Sequence, residues 1–254
     1  MLTVPTFLAA GLIGLLAAIG LLLGAIVGYT DRLSHRAIAT VTGFGAGVLI
    51  AVLTLELLVD SHEHGSAPAT AIGFLLGALL FSTINRGLEQ REAAHRKRCG
   101  ACVAQPTEEQ APGSGTAIAV GALIDGIPES IAIGLTVATT GGSGAPVALV
   151  AGFFLANIPQ GISSASGMRQ AGRSRTYVLG VWSTVVATST LAAVLGAVAF
   201  ADAGGTFLAG LTALAAGGVL AMLAETMIPE AFHLNHRFIG VITATGVVVA
   251  LLLQ

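Results

Sequence analysis

The sequence predicts an all-α integral membrane protein in which eight transmembrane helices form one bundle. Of its 254 residues, 54% are hydrophobic and only 9% are charged. The mean hydropathy is +0.88, whereas a soluble globular domain carries about a quarter charged residues. Apolar runs of about 20 residues, the length that crosses a bilayer as a helix, recur along the chain. The distribution of the cations supports the same count of helices.

The eight predicted spans belong to a single transmembrane domain covering residues 1–254, with residues 86–115 as a flexible cytoplasmic loop within it. Glycine occurs 34 times, and small residues let membrane helices approach one another closely. One compact bundle is therefore expected. The spans are Pro5–Tyr29, Ala37–Val59, Pro68–Asn85, Thr116–Ala138, Ala145–Ser166, Thr176–Phe200, Thr206–Ile228 and Phe238–Leu253.

All eleven lysines and arginines fall on the same side of the predicted bundle. They follow spans one, three, five and seven, beginning with Arg32 and ending with Arg237. Loops rich in Lys and Arg stay in the cytoplasm. The sequence thus predicts a multi-pass protein of the plasma (inner) membrane with both termini extracytoplasmic.

The predicted loop, Arg86–Gly115, contains both cysteines of the chain, Cys99 and Cys102, with His95 four residues upstream. Cytosolic thiols stay reduced and bind soft metals. Two sulfurs and one imidazole fall short of four ligands, so a regulatory metal site and a pair of inert thiols both remain open.

The pattern I-P-[EQ] occurs three times, with its prolines at Pro128, Pro159 and Pro229. Proline removes an amide donor and clashes with the carbonyl four residues earlier. Broken helices at the midplane of transporters use such freed carbonyls to hold ions. Simple kinks are the alternative, because proline is common in membrane helices.

Buried polar side chains in spans four and five predict an ion site. Asp125 and Glu129 lie four residues apart and share a helix face, and Asn157 and Gln160 lie three apart on the next span. Carboxylates in hydrocarbon are costly unless they are paired, protonated or ligated. No basic residue lies inside a predicted span, so we expect a cation there; a structural polar network is the alternative.

Further carboxylates extend a path from this cluster towards both ends of the bundle. Glu56 lies in span two below Asp60, His62, Glu63 and His64, while Glu225 lies in span seven before Glu230, His233 and His236. The histidines are either solvated interfacial residues or part of an entrance at each end of the bundle that concentrates cations.

These motifs resemble those of the ZIP (Zrt/Irt-like) family of divalent-metal transporters. The stretch 125–130, D-G-I-P-E-S, is similar to the family's H-N-x-P-E-G, and the stretch 156–161, A-N-I-P-Q-G, is similar to H-[ED]-x-P-E-G. Residues 55–58 and 225–230 also look similar to family patterns. The resemblance implies eight spans, outside termini, metal ligands on spans four and five, and kinked helices four and five at the core.

The resemblance implies a transporter of zinc, iron or manganese that works by alternating access through a midplane carboxylate and amide site. Glu129 alone keeps the family residue, while Asp125, Asn157 and Gln160 replace a histidine and two acids. One site is therefore expected instead of a binuclear centre, with Glu225 and Glu56 as further metal-binding candidates. Oxygen ligands suit harder ions such as Mn²⁺ or Mg²⁺.

Two rival functions remain: a proton-coupled solute carrier and a non-transporting degenerate homologue. An intramembrane enzyme is not expected, since no histidine lies inside a predicted span to serve as a base or ligand. The expected partners are divalent metal ions, as transported substrate, and the lipid bilayer. No prosthetic group and no nucleic acid are expected, and a homodimer is left open.

Overall fold

The computed structural model describes residues 5–30, 32–89, 114–140, 147–200, 204–234 and 237–253. These residues form eight helices, numbered α1 to α8 in chain order. The helices are α1 (Thr6–Tyr29), α2 (His35–His64), α3 (Ala67–Glu89), α4 (Ser114–Thr139), α5 (Val147–Gln170), α6 (Arg175–Ala199), α7 (three consecutive segments, Gly205–Met222, Leu223–Met227 and Ile228–Leu234) and α8 (Ile239–Leu252).

Five of the described helices, α1, α2, α3, α6 and α7, are long and apolar enough to cross a membrane. Shorter apolar helical stretches, Gly126–Ala138 and Ile239–Leu252, lie in α4 and α8. No strand occurs in the described residues. The predicted all-helical membrane protein is confirmed at this level.

Each predicted span coincides with one helix, and the largest differences lie at polar ends. Span two was predicted as Ala37–Val59, whereas α2 runs from His35 to His64. Ser34 caps its first turn, accepting a hydrogen bond from the amide of Ala37 at 3.2 Å. The length of an apolar run predicts only the part of a helix that lies in hydrocarbon, whereas the helix itself continues into the polar residues beyond it.

The helices divide into two groups of four by their packing. The first group comprises α1, α4, α5 and α6, and the second comprises α2, α3, α7 and α8. The groups meet chiefly where α2 packs on α5 and α4 packs on α7. If α1, α2 and α3 are exchanged with α6, α7 and α8, and α4 with α5, the main helix pairs map onto one another: α1–α5 becomes α6–α4, and α2–α5 becomes α7–α4. This is the arrangement of an internal repeat, which is common among transporters.

Glycines set the close spacing of the parallel pairs α1–α5 and α3–α7. A Cβ atom on Gly24 would collide with the carbonyl oxygen of Ile158, and one on Gly77 with the carbonyl oxygen of Leu214. Gly28 of α1 meets α5 in the same way one turn later. Backbones in van der Waals contact stabilise helix pairs where lipid supplies no hydrophobic drive.

A π-helical turn interrupts α2 at Val52–Leu57, and another interrupts α7 at Leu223–Met227. Each turn contains a threonine whose hydroxyl donates to the carbonyl four residues back: Thr54 donates to Ile50 at 2.7 Å and Thr226 to Met222 at 2.6 Å. Such turns are rare and often occur at functional sites. Glu56 and Glu225 lie inside them.

Two of the predicted proline sites fall inside uninterrupted helices. Pro128 lies within α4 and Pro159 within α5. Pro128 also packs closely against Gly218 of α7, and Pro159 against Gly45 of α2. The prolines therefore lie at both junctions between the two helix groups.

Candidate functional site

A small cavity lies near the middle of the first helix group. Its volume is about 10 Å³, which is the room that a single water molecule needs. Side chains and backbone from all four helices of the group line it. The lining residues that carry polar side chains are Glu129, Ser130, Asn157 and Ser189.

Within the part of the chain that the structure describes, the side-chain amide of Asn157 is hydrogen-bonded through its nitrogen but not through its oxygen. Its Nδ2 atom donates a hydrogen bond to the carbonyl oxygen of Ala17 on α1 at 3.0 Å. Its Oδ1 atom is buried and has no hydrogen-bond partner among the described residues. Because a buried acceptor without a partner costs about 1–3 kcal/mol, this oxygen is suited to a ligand inside the cavity.

Ser189 of α6 is a second such group, and the sequence did not single it out. The residue is 3% exposed, and its Oγ atom has no hydrogen-bond partner in the described part of the chain. It faces Gly126 of α4, since a Cβ atom built on that glycine would lie 3.0 Å from the Ser189 oxygen. Only the packing of α6 on α4 distinguishes it from neighbouring serines and threonines.

Glu129 is the carboxylate of the cavity, and it is 3% exposed. Ser130 next to it is already satisfied, because its hydroxyl donates to the carbonyl of Gly126 at 2.7 Å. The structure thus brings Glu129 and Asn157 to one cavity. Asp125 lies one turn earlier in α4, and its side chain lies outside the described residues.

Gln160 does not line this cavity. Its Nε2 atom donates to the sulfur of Met227 on α7 at 3.6 Å. Asn157 and Gln160 therefore contact different neighbours, although three residues separate them. A spacing of three puts two side chains on one broad face, but it does not say which helices cover that face.

Glu225 is bound by α3 and lies apart from the cavity lining. One carboxylate oxygen accepts from the hydroxyl of Ser82 at 2.5 Å, and the other accepts from Nδ2 of Asn85 at 2.7 Å. Its side chain is exposed. The next carboxylate of α7, Glu230, instead accepts a hydrogen bond from Ser163 of α5.

Glu56 is half-buried in the π-helical turn of α2. One turn further along, Asp60 contacts His64, with 3.2 Å between the carboxylate and Nδ1. His62 and Glu63 are exposed beside them. Cys99, Cys102, His95 and His236 lie outside the described residues, as does the side chain of His233.

The chemistry of the cavity is that of oxygen donors. It offers one carboxylate, one amide oxygen and the Ser189 hydroxyl oxygen. No three His, Cys, Asp or Glu side chains gather into a metal-binding group in the described part of the chain. Oxygen donors suit hard cations better than they suit soft ones.

No family model matches the chain. The chain is 24% identical over 211 residues to a protein of Arabidopsis thaliana named "Putative zinc transporter". The match covers 83% of this chain and 32% of that protein. The chain therefore spans about a third of the length of the curated relative it matches.

Proposed function

We propose that this chain is a ZIP-like transporter of a divalent metal cation, with the cavity of Glu129, Asn157 and Ser189 as its central binding site. The observation that carries the proposal is the pair of buried oxygens on Asn157 and Ser189 that lack partners beside a buried carboxylate. A cation would satisfy both of these oxygens, and the Glu129 carboxylate would offset its charge. The distant likeness to a zinc transporter supports the same class of substrate.

The donor set argues for a harder ion than zinc. Histidine nitrogen and cysteine sulfur favour zinc, whereas carboxylate, amide and hydroxyl oxygens favour Mn²⁺ or Mg²⁺. Asp125, one turn from Glu129, supplies the second negative charge that a divalent ion needs for neutrality. Manganese is therefore the proposed cargo, with iron and zinc as weaker competitors.

Access would alternate by movement of the first helix group against the second. The junctions α2–α5 and α4–α7 carry the prolines, and the second group contains both π-helical turns. Glu56 and Glu225 are proposed as carboxylates on the two approaches. We further propose extracytoplasmic termini, an inner-membrane location and assembly as a homodimer.

The decisive experiment is metal uptake by proteoliposomes containing the purified chain. Uptake of manganese is expected to fall at least tenfold in Glu129→Gln, because the amide keeps the volume but loses the charge. Ser189→Ala should raise the concentration for half-maximal uptake several-fold. The matched control is Thr136→Ala, a buried hydroxyl of α4 whose donated bond goes to its own helix, to Ala132 at 2.9 Å.

Uptake that is equal in the wild type and Glu129→Gln would refute the central site. A second candidate function, a metal-binding homologue that does not transport, is favoured by one observation: Gln160 contacts Met227 instead of lining the cavity. Binding of manganese to the purified protein without any uptake, and loss of that binding in Glu129→Gln, would establish this alternative.

A further inference from the structure

Two matched contacts join α5 to α7 beyond the cavity. Gln160 contacts Met227, and three residues later Ser163 contacts Glu230. The partners advance by three residues on both helices, so the contacts form consecutive rungs between parallel segments. We name these four side chains the α5–α7 ladder.

The ladder brings together four different donor atoms. They are a carboxylate oxygen, a hydroxyl oxygen, an amide group that presents oxygen when it turns, and a thioether sulfur. Met227 is 2% exposed, and Gln160 is 8% exposed. Glu230 is only half-buried, so this end of the ladder is not enclosed by the bundle.

The ladder also continues from the cavity along one helix. Asn157 lines the cavity, Gln160 follows it by three residues, and Ser163 follows by three more. All three are buried polar side chains. Successive residues at this spacing form a polar stripe from the middle of α5 towards its end.

We propose that the α5–α7 ladder is a second cation station, which binds a transition metal after it leaves the cavity. The proposal rests on the proposed function for its cargo. Its sulfur gives this station a softer donor set than the cavity, so it should favour Cd²⁺ and Zn²⁺ over Mn²⁺ more strongly than the cavity does. The ion replaces the Ser163–Glu230 contact while it is bound, which loosens α5 from α7.

The test is X-ray absorption of cadmium bound to the full chain carrying Cys99→Ser and Cys102→Ser. In this background only methionine supplies sulfur. A sulfur neighbour to cadmium is expected and should disappear in Met227→Leu. Met222→Leu is the matched control, because Met222 is a fully buried methionine of the same helix that lies outside the ladder.

Two further variants separate a binding station from a structural tie. Glu230→Gln keeps the acceptor for Ser163 but loses the charge, so it should weaken cadmium binding at least tenfold with little loss of thermal stability. Ser163→Ala keeps the charge and removes the contact, so it should lower stability more than affinity. The reverse ranking would show that the ladder only holds the helices together.

The outcomes distinguish this proposal from the proposed function. Absence of a sulfur neighbour, or cadmium binding unchanged in Glu230→Gln, overturns the station while manganese uptake through Glu129 still stands. Sulfur ligation that depends on Met227, together with uptake unaffected by Glu129→Gln, supports the station and refutes the central site.

Discussion

Replacing Asn157 by aspartate tests the cavity most directly, because it puts a second carboxylate beside Glu129. If the two groups lie across one water-sized space, their oxygens are about 5.5 Å apart, which is two hydrogen-bond lengths. At an effective dielectric constant near 20, two like charges at this distance repel by about 3 kcal/mol. Uptake of a proton relieves part of this cost, so the figure is an upper value.

Without metal, Asn157→Asp should therefore unfold roughly 6–12 °C below the wild type, taking 2–4 °C per kcal/mol for a chain of this size. Manganese should reverse the loss and bind at least tenfold more tightly than in the wild type, since the site has gained a negative ligand. The assay is thermal unfolding in detergent with and without manganese. Fluorescence of Trp182, the one tryptophan of the chain, reports it from a fully buried position.

The double variant Glu129→Gln, Asn157→Asp decides whether the cost arises from the pair. Removing the charge at position 129 should restore the part of the lost stability that arises from repulsion, because the repulsion then has no partner, whereas the loss of the hydrogen bond to the Ala17 carbonyl remains in both backgrounds. A penalty that is the same in both backgrounds would refute the reasoning, as would a variant whose stability manganese does not change.

Two further predictions concern the packing that supports the cavity. Gly24→Ala should lower the unfolding temperature clearly, since its Cβ would strike the Ile158 carbonyl. Gly180→Ala, with open space around it, should be neutral or raise stability by roughly 0.5–1 kcal/mol. Equal effects of the two variants would contradict the close contact between α1 and α5. Ser61→Ala should cost about 1–3 kcal/mol because Ser61 bonds Ala209 at 2.8 Å and the buried Thr70 hydroxyl at 2.9 Å. Thr245→Ala, an exposed control, should change the free energy of unfolding by less than about 0.5 kcal/mol.

Hydropathy was enough to predict the helices, because bilayer thickness imposes a length that each apolar run must meet. The predicted first span, Pro5–Tyr29, differs from α1 by a single residue. The π-helical turns could not be predicted, since Val52–Leu57 and Leu223–Met227 look like ordinary apolar helix. They depend on how α2 and α7 pack against the other helices.

The candidate site was predictable in part. Glu129 and Asn157 stood out because a carboxylate and an amide are rare in apolar spans. Ser189 did not, because serine and threonine are common along α6 and satisfy themselves by bonding to their own helix, as Thr190 does with Val186 at 2.8 Å. Which hydroxyl faces a cavity is decided by the rotation of the helix, which spacing alone does not fix.

The glycine seam between α1 and α5 has a mechanical consequence. Where backbone touches backbone there is no flexible side chain to absorb sliding, so the two helices must travel together as a stiff unit. Any displacement of Asn157 would then carry Ala17 along with it, and the hydrogen bond between them would survive the motion. Relative movement of α5 is therefore easier on its opposite face, where it contacts α7 through side chains and not through the main chain.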